Sequence, residues 1–213
     1  MPRAVRTLLV PLAIFWALLV CAAMPGAVWA ADKSILVFGD SLSAAYGISQ
    51  SRGWVALLAE RLKRERADYS VVNASISGET TAGGLARIEA ALAKHAPEVL
   101  VLALGGNDGL RGLPASQMKQ NLSSMVARAQ KAGARVLLVG IRVPPNYGPA
   151  YTETFEAAFR DVAKRHRVAL LPFLLEGVAE NDALFQPDRI HPTQEAQPLI
   201  ERHVWSALEP LLK

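Results

Sequence analysis

The chain is nearly devoid of cysteine. Cys21 is the single one in 213 residues, and it lies in an apolar N-terminal stretch. The remainder can form no disulfide and offers no thiol nucleophile. Surplus charge is also small. Lys and Arg number 23 against 19 Asp and Glu, a formal net charge of +4, so the basic surplus of a nucleic-acid binder is missing. There is no glycine-rich phosphate loop of the G-x-x-x-x-G-K or G-x-G-x-x-G type, which excludes a nucleotide binder. No internal repeat, low-complexity tract or long charge block interrupts the sequence. No apolar run reaches the ~20 residues a membrane-spanning helix needs.

What is present begins with a leader. Arg3 and Arg6 precede an apolar run from Leu8 to Val20, and Val28-Trp29-Ala30 provides a small-residue cleavage site. This is the pattern of a secretory signal peptide. Residues 1–30 are therefore expected to be removed, leaving 31–213 as a single domain in the periplasm or outside the cell, without a stable membrane anchor. A lipidated Cys21 is the alternative, but Val20 is a poor neighbour for it because lipid attachment favours a small residue there. Loss of Arg3 and Arg6 lowers the net charge by two.

After the leader, short apolar runs alternate with longer amphipathic ones. Strands are expected at 34–38, 70–73, 99–104, 135–140 and 169–173, and helices at 54–66, 84–94, 115–132, 151–166 and 194–212. The order predicts an α/β fold: a three-layer α/β/α sandwich with a mainly parallel five-stranded sheet, flavodoxin-like, in strand order 2-1-3-4-5. In such a sheet the loops after successive strands open on one edge, where ligands bind.

Those loops carry unusual residues. Gly39-Asp40-Ser41-Leu42-Ser43 follows the first strand, Ser75-Ile76-Ser77-Gly78 the second, and Gly105-Gly106-Asn107-Asp108 the third. Asp188-Arg189-Ile190-His191-Pro192 comes near the end. Ser41 is a candidate nucleophile if a base can reach it. His191 is the best base, since Asp188 three residues earlier can fix its tautomer from one tight turn. An oxyanion needs fixed donors; the N–H groups of Ser41 and Gly78 and the Asn107 amide are available. Asp40 adjoins Ser41, but adjacent side chains on an extended turn diverge, so Asp40 and Asp108 are assigned to holding loop N–H groups. His95, His166 and His203 are read as structural.

The blocks GDSLS, SISGETT, GGND and DRIHP, in that order over nearly the whole domain, resemble the SGNH hydrolases, also called the GDSL lipase/esterase family. The runs VVNASISGET, LGGNDGLRG, IRVPPNYG and IHPTQEAQP are similar to its exported multifunctional bacterial esterases. The connection between Ser41 and Gly78 looks slightly longer than in those relatives, which affects helix length rather than the site. The resemblance implies an SGNH hydrolase fold and a serine esterase acting on acyl or aryl esters, lysophospholipids and thioesters. It implies a catalytic triad of Ser41, His191 and Asp188 and an oxyanion hole of Ser41, Gly78 and Asn107. It further implies a substrate groove that includes Leu110, Arg111, Leu113, Val143, Pro144 and Tyr147, with a mobile Gly109–Leu113 loop. No metal or cofactor is expected; the partners are small ester and lipid substrates, and the chain is expected to be a monomer. The alternatives are a carbohydrate acetylesterase of the same superfamily and a non-catalytic periplasmic binding protein.

Overall fold

The computed structural model describes Met1 and residues 33–213. The expected signal peptide and the cysteine within it lie outside the described residues. Five strands, β1 (Lys33–Gly39), β2 (Tyr69–Asn73), β3 (Val99–Ala103), β4 (Arg135–Val139) and β5 (Ala169–Leu171), form one sheet. The order is β2-β1-β3-β4-β5 with every pairing parallel, as expected. All five residues of β3 are buried, the pattern of a central strand covered on both faces.

Side-chain alternation along the strands sorts the helices into two layers. Ile35, Val37, Val99, Val101 and Leu137 point to one face, where they pack on α1 (Trp54–Glu65) and α6 (Gln197–Leu208). Leu36, Phe38, Leu100, Leu102 and Leu138 point to the other, against α2 (Thr81–His95), α4 (Ala115–Lys131) and α5 (Pro149–His166). Each helix buries a stripe at three-to-four-residue spacing, such as Trp54, Val55, Leu58 and Leu62 of α1.

Local chemistry moves several boundaries. Helix α2 starts at Thr81, three residues before the expected position, because Thr80 caps it by accepting the Gly83 N–H at 3.3 Å. Gly84 costs helix propensity but lets the helix approach Leu104, Met125 and Phe38. Helix α6 begins at Gln197, later than expected, with Pro198 in its first turn. An unexpected five-residue helix, α3 (Gly106–Leu110), follows β3. Strand β5 stops at Leu171, before Pro172, which has no N–H to donate to the ladder.

The end of β5 is stitched to β4 at Gly140. Its N–H donates to the Leu171 carbonyl at 2.8 Å, and its own carbonyl accepts from Leu174 at 2.9 Å. A Cβ on Gly140 would overlap the Pro172 carbonyl oxygen, a backbone atom that cannot swing aside. Gly140→Ala should therefore lower stability by roughly 1–3 kcal/mol, seen as a lower urea midpoint with an unchanged slope. An unmoved midpoint would contradict this close approach.

Candidate active site

Parallel strands all run to one edge, and the sequence-selected residues meet there. Ser41 sits just past β1 in a tight turn: the N–H groups of Ser43 and Ala44 donate to the Asp40 carbonyl at 3.1 and 3.0 Å. The Asp40 carboxylate accepts the Leu42 N–H at 3.1 Å. His191 reaches the same edge from the far end of the chain. Its segment folds back on itself: Gln186 N–H donates to His191 carbonyl at 2.8 Å, and Thr193 N–H to Leu184 carbonyl at 2.8 Å. Arg189 adopts φ 58° at the tip, a conformation that costs a non-glycine residue about 1 kcal/mol.

That turn lines up three side chains. Ser41 Oγ lies 2.8 Å from His191 Nε2, and His191 Nδ1 lies 2.7 Å from Asp188 Oδ2. The second Asp188 oxygen accepts the N–H groups of Ile190 and His191, each at 3.0 Å. Burial alone would raise the Asp188 carboxyl, but the His191 N–H, its imidazole and the Ile190 N–H outweigh this and bring it down to about 2. The buried Asp40 behaves oppositely: burial pushes its carboxyl up to about 6, against the lowering by the Leu42 N–H. The two carboxylates near the serine are thus shifted in opposite directions by their different surroundings.

Donors gather on the opposite side. Gly78 holds φ 79°, a backbone that favours glycine. Among the described residues, the N–H groups of Ser41 and Gly78 have no protein acceptor. Asn107, in the first turn of α3, donates through Nδ2 to the Glu79 carbonyl at 3.0 Å, with Asp40 Oδ2 at 3.4 Å. The first contact fixes the amide. The second is long and weak, which leaves that hydrogen available to a stronger acceptor brought in by a substrate. Asp108 is spent elsewhere: it accepts from Thr81 N and Oγ1 at 2.8 and 2.5 Å, with Asn121 donating to that hydroxyl at 3.0 Å.

Ser41, Gly78, Asn107 and His191 line one cavity of about 530 Å³. Of the residues expected in the groove, Leu110, Val143 and Pro144 line it as well. Arg111, Leu113 and Tyr147 are not on its wall. They take part in tethering the Leu110–Leu113 loop: Arg111 donates to Gly78 carbonyl at 3.0 Å, Tyr147 to Leu110 carbonyl at 2.8 Å and Tyr151 to Leu113 carbonyl at 2.8 Å. The second wall is formed by Phe173 and Leu175 beyond β5, with Phe185, Ile190 and Tyr46. Sequence reading missed it, because Phe173 and Leu175 are indistinguishable from core residues at a strand end. Two of the remaining histidines have partners outside the triad: His166 meets Ser123 Oγ at 2.7 Å and His203 the Phe173 carbonyl at 2.9 Å. Among the described residues, no three His, Cys, Asp or Glu side chains converge as metal ligands, and no helix is long and apolar enough to cross a membrane.

The GDSL-like lipase/acylhydrolase family matches residues 37–198. Esterase TesA of Pseudomonas aeruginosa is 54% identical over 183 residues, 86% of this chain and 91% of that protein. Thioesterase 1/protease 1/lysophospholipase L1 of Escherichia coli is 44% identical over 183 residues, 86% of each chain. Among solved structures, the psychrotrophic esterase EstA from Pseudoalteromonas sp., inhibited by monoethylphosphonate, superposes with a TM-score of 0.81 at 41% identity, over 84% of this chain and 98% of that one.

Proposed function

The chain belongs to the GDSL-like lipase/acylhydrolase family, and we propose that it is a serine esterase that hydrolyses carboxylic esters of acyl chains through an acyl-enzyme on Ser41. The observation that carries this reading is the continuous line Ser41 Oγ, His191 Nε2, His191 Nδ1, Asp188 Oδ2, with links of 2.8 and 2.7 Å. Ser41 attacks the ester carbonyl as His191 takes its proton. The developing oxyanion is met by the N–H groups of Ser41 and Gly78 and by the Asn107 amide. His191 then protonates the leaving alcohol or thiol, and water repeats the sequence on the acyl-enzyme.

Substrate class follows from the cavity. Leu110, Val143, Phe173 and Leu175 give it apolar walls, which suit an acyl chain better than an acetylated polysaccharide. Lysophospholipids and thioesters share the required acyl group. The names of the Pseudomonas and Escherichia coli relatives support esters, thioesters and lysophospholipids as substrates. Residues 1–30 act as an export signal in this reading, and the domain works in the periplasm or beyond it as a monomer. In support, the first strand of the sheet begins at Lys33, three residues after the cleavage site seen in the sequence.

A fluorophosphonate probe tests the proposal. It should label the wild-type protein once, on the peptide containing Ser41, abolish hydrolysis of p-nitrophenyl butyrate, and leave Ser41→Ala unlabelled. Labelling at another serine, or none, would sink it.

A further inference from the structure

Tyr46 is a large aromatic side chain that the fold leaves 53% exposed. Its ring nevertheless lies against the His191 imidazole, with centroids 4.4 Å apart and planes tilted by 37°. The loop that carries it is built to hold it there. Ala45 and Gly47, on either side, both adopt left-handed backbone, with φ 58° and 74°. The alanine gains nothing locally from that conformation, so the surrounding contacts impose it. The clamp is Gln186: its amide donates to the Tyr46 carbonyl at 2.8 Å and to the Pro192 carbonyl at 3.1 Å. One side chain thus ties the Tyr46 tip to the backbone that presents His191.

The proton leaving His191 Nε2 must pass to the departing group, so that group emerges beside the imidazole. Tyr46 and Ile190 are the exposed apolar side chains on that part of the cavity wall, and Ile190 is 41% exposed. One aromatic face is used on the histidine and much of the remaining ring surface is open. A flat, apolar group can stack there; a small alkoxide can cover little of it.

Resting on the reading of Ser41 as the acylated nucleophile, we propose that Tyr46 with Ile190 forms a leaving-group subsite that selects aryl over alkyl esters. Its influence falls on acylation alone, because deacylation starts from an acyl-enzyme that has already lost the leaving group. Substrates with one acyl chain therefore separate this subsite from the acyl pocket.

The test compares kcat/KM for phenyl butyrate and 2,2,2-trifluoroethyl butyrate, which give the same butyryl-enzyme. In Tyr46→Ala and Tyr46→Leu the phenyl-to-trifluoroethyl ratio should fall roughly fivefold to tenfold relative to wild type, the size expected for one aromatic stack. Tyr46→Phe should retain the wild-type ratio. Butyryl-enzyme breakdown, followed in single turnover, should be unchanged by the leaving group in every variant. An equal fall for both esters, or an unchanged ratio in Tyr46→Ala and Tyr46→Leu, would overturn the subsite and leave Tyr46 as packing for His191. If wild type hydrolysed neither ester, the underlying esterase reading would fail instead. Because Tyr46 is exposed and lies in a loop, a thermal melt of each variant should match wild type.

Discussion

His191→Ala should lower kcat on a p-nitrophenyl ester by about 10⁶-fold while the protein stays folded. The size follows from the two proton transfers that the proposed mechanism assigns to the imidazole in each cycle. In that mechanism Nε2, 2.8 Å from Ser41 Oγ, removes the serine proton at the moment of attack and returns it to the leaving group. Alanine removes both transfers. Residual turnover, still about 10³–10⁴ above the uncatalysed rate, would come from the oxyanion donors and from substrate binding. Because serine and histidine act as one unit, Ser41→Ala/His191→Ala should be no slower than either single variant. Multiplicative losses in the double variant would show that they act separately. The fold should tolerate the change, since the backbone bonds from Ile190 and His191 to Asp188 survive it. Circular dichroism and a melting curve check this. A loss below about a hundredfold would remove His191 from proton transfer, given the 10²–10⁴-fold usual for a general base alone.

Why so much of this arrangement could be read from the sequence is a matter of period and direction. A short, wholly apolar run such as Val99–Leu104 reads as a strand buried on both faces, and its alternation with amphipathic runs leaves few topologies. Once the sheet is parallel, the loops after β1, β2 and β3 share an edge, so residues 41, 78 and 107 come together without any pairwise signal. His191 was harder, because no strand leads directly into it. Its turn depends on Arg189 in left-handed backbone and on cross-links from Gln186 and Thr193, none of which a residue pattern reveals.

The parts that were not legible share a cause. Helix α3 is only five residues long and contains Gly106 and Gly109; its glycine content reads as loop, and tertiary contact overrides propensity. Gly109 packs so close to Val143 and Phe155 that a side chain there would collide with them. Phe173 and Leu175 look like core and are buried, at 6% exposure each, yet they also face the cavity. Sequence carries burial but not the side from which a substrate approaches. The same limit applies to Tyr46, whose meaning lies entirely in a ring 145 positions away in the chain.

Asp188→Asn should reduce kcat by about 10⁴-fold, far more than the loss of one ordinary hydrogen bond would imply. Asparagine can keep its carbonyl toward the Ile190 and His191 N–H groups, which places its NH₂ against His191 Nδ1. That amide is a donor, so Nδ1 must become the acceptor and the ring proton moves to Nε2. Nε2 then donates toward Ser41 Oγ and cannot accept its proton. The geometry is preserved and the chemistry is lost, so KM should change little. Stability supplies an independent reading. The Asp188 carboxyl titrates at about 2 in the fold against an ordinary 3.8. A group held low in this way contributes stability that is fully present above about pH 4 and is lost as the pH falls toward about 2. Asparagine does not titrate. The stability of wild type relative to Asp188→Asn, from urea unfolding at a series of pH values, should therefore shrink across that window and stay level above it. A difference that grew on acidification would show that the carboxylate is not held by the bonds that aim it at His191.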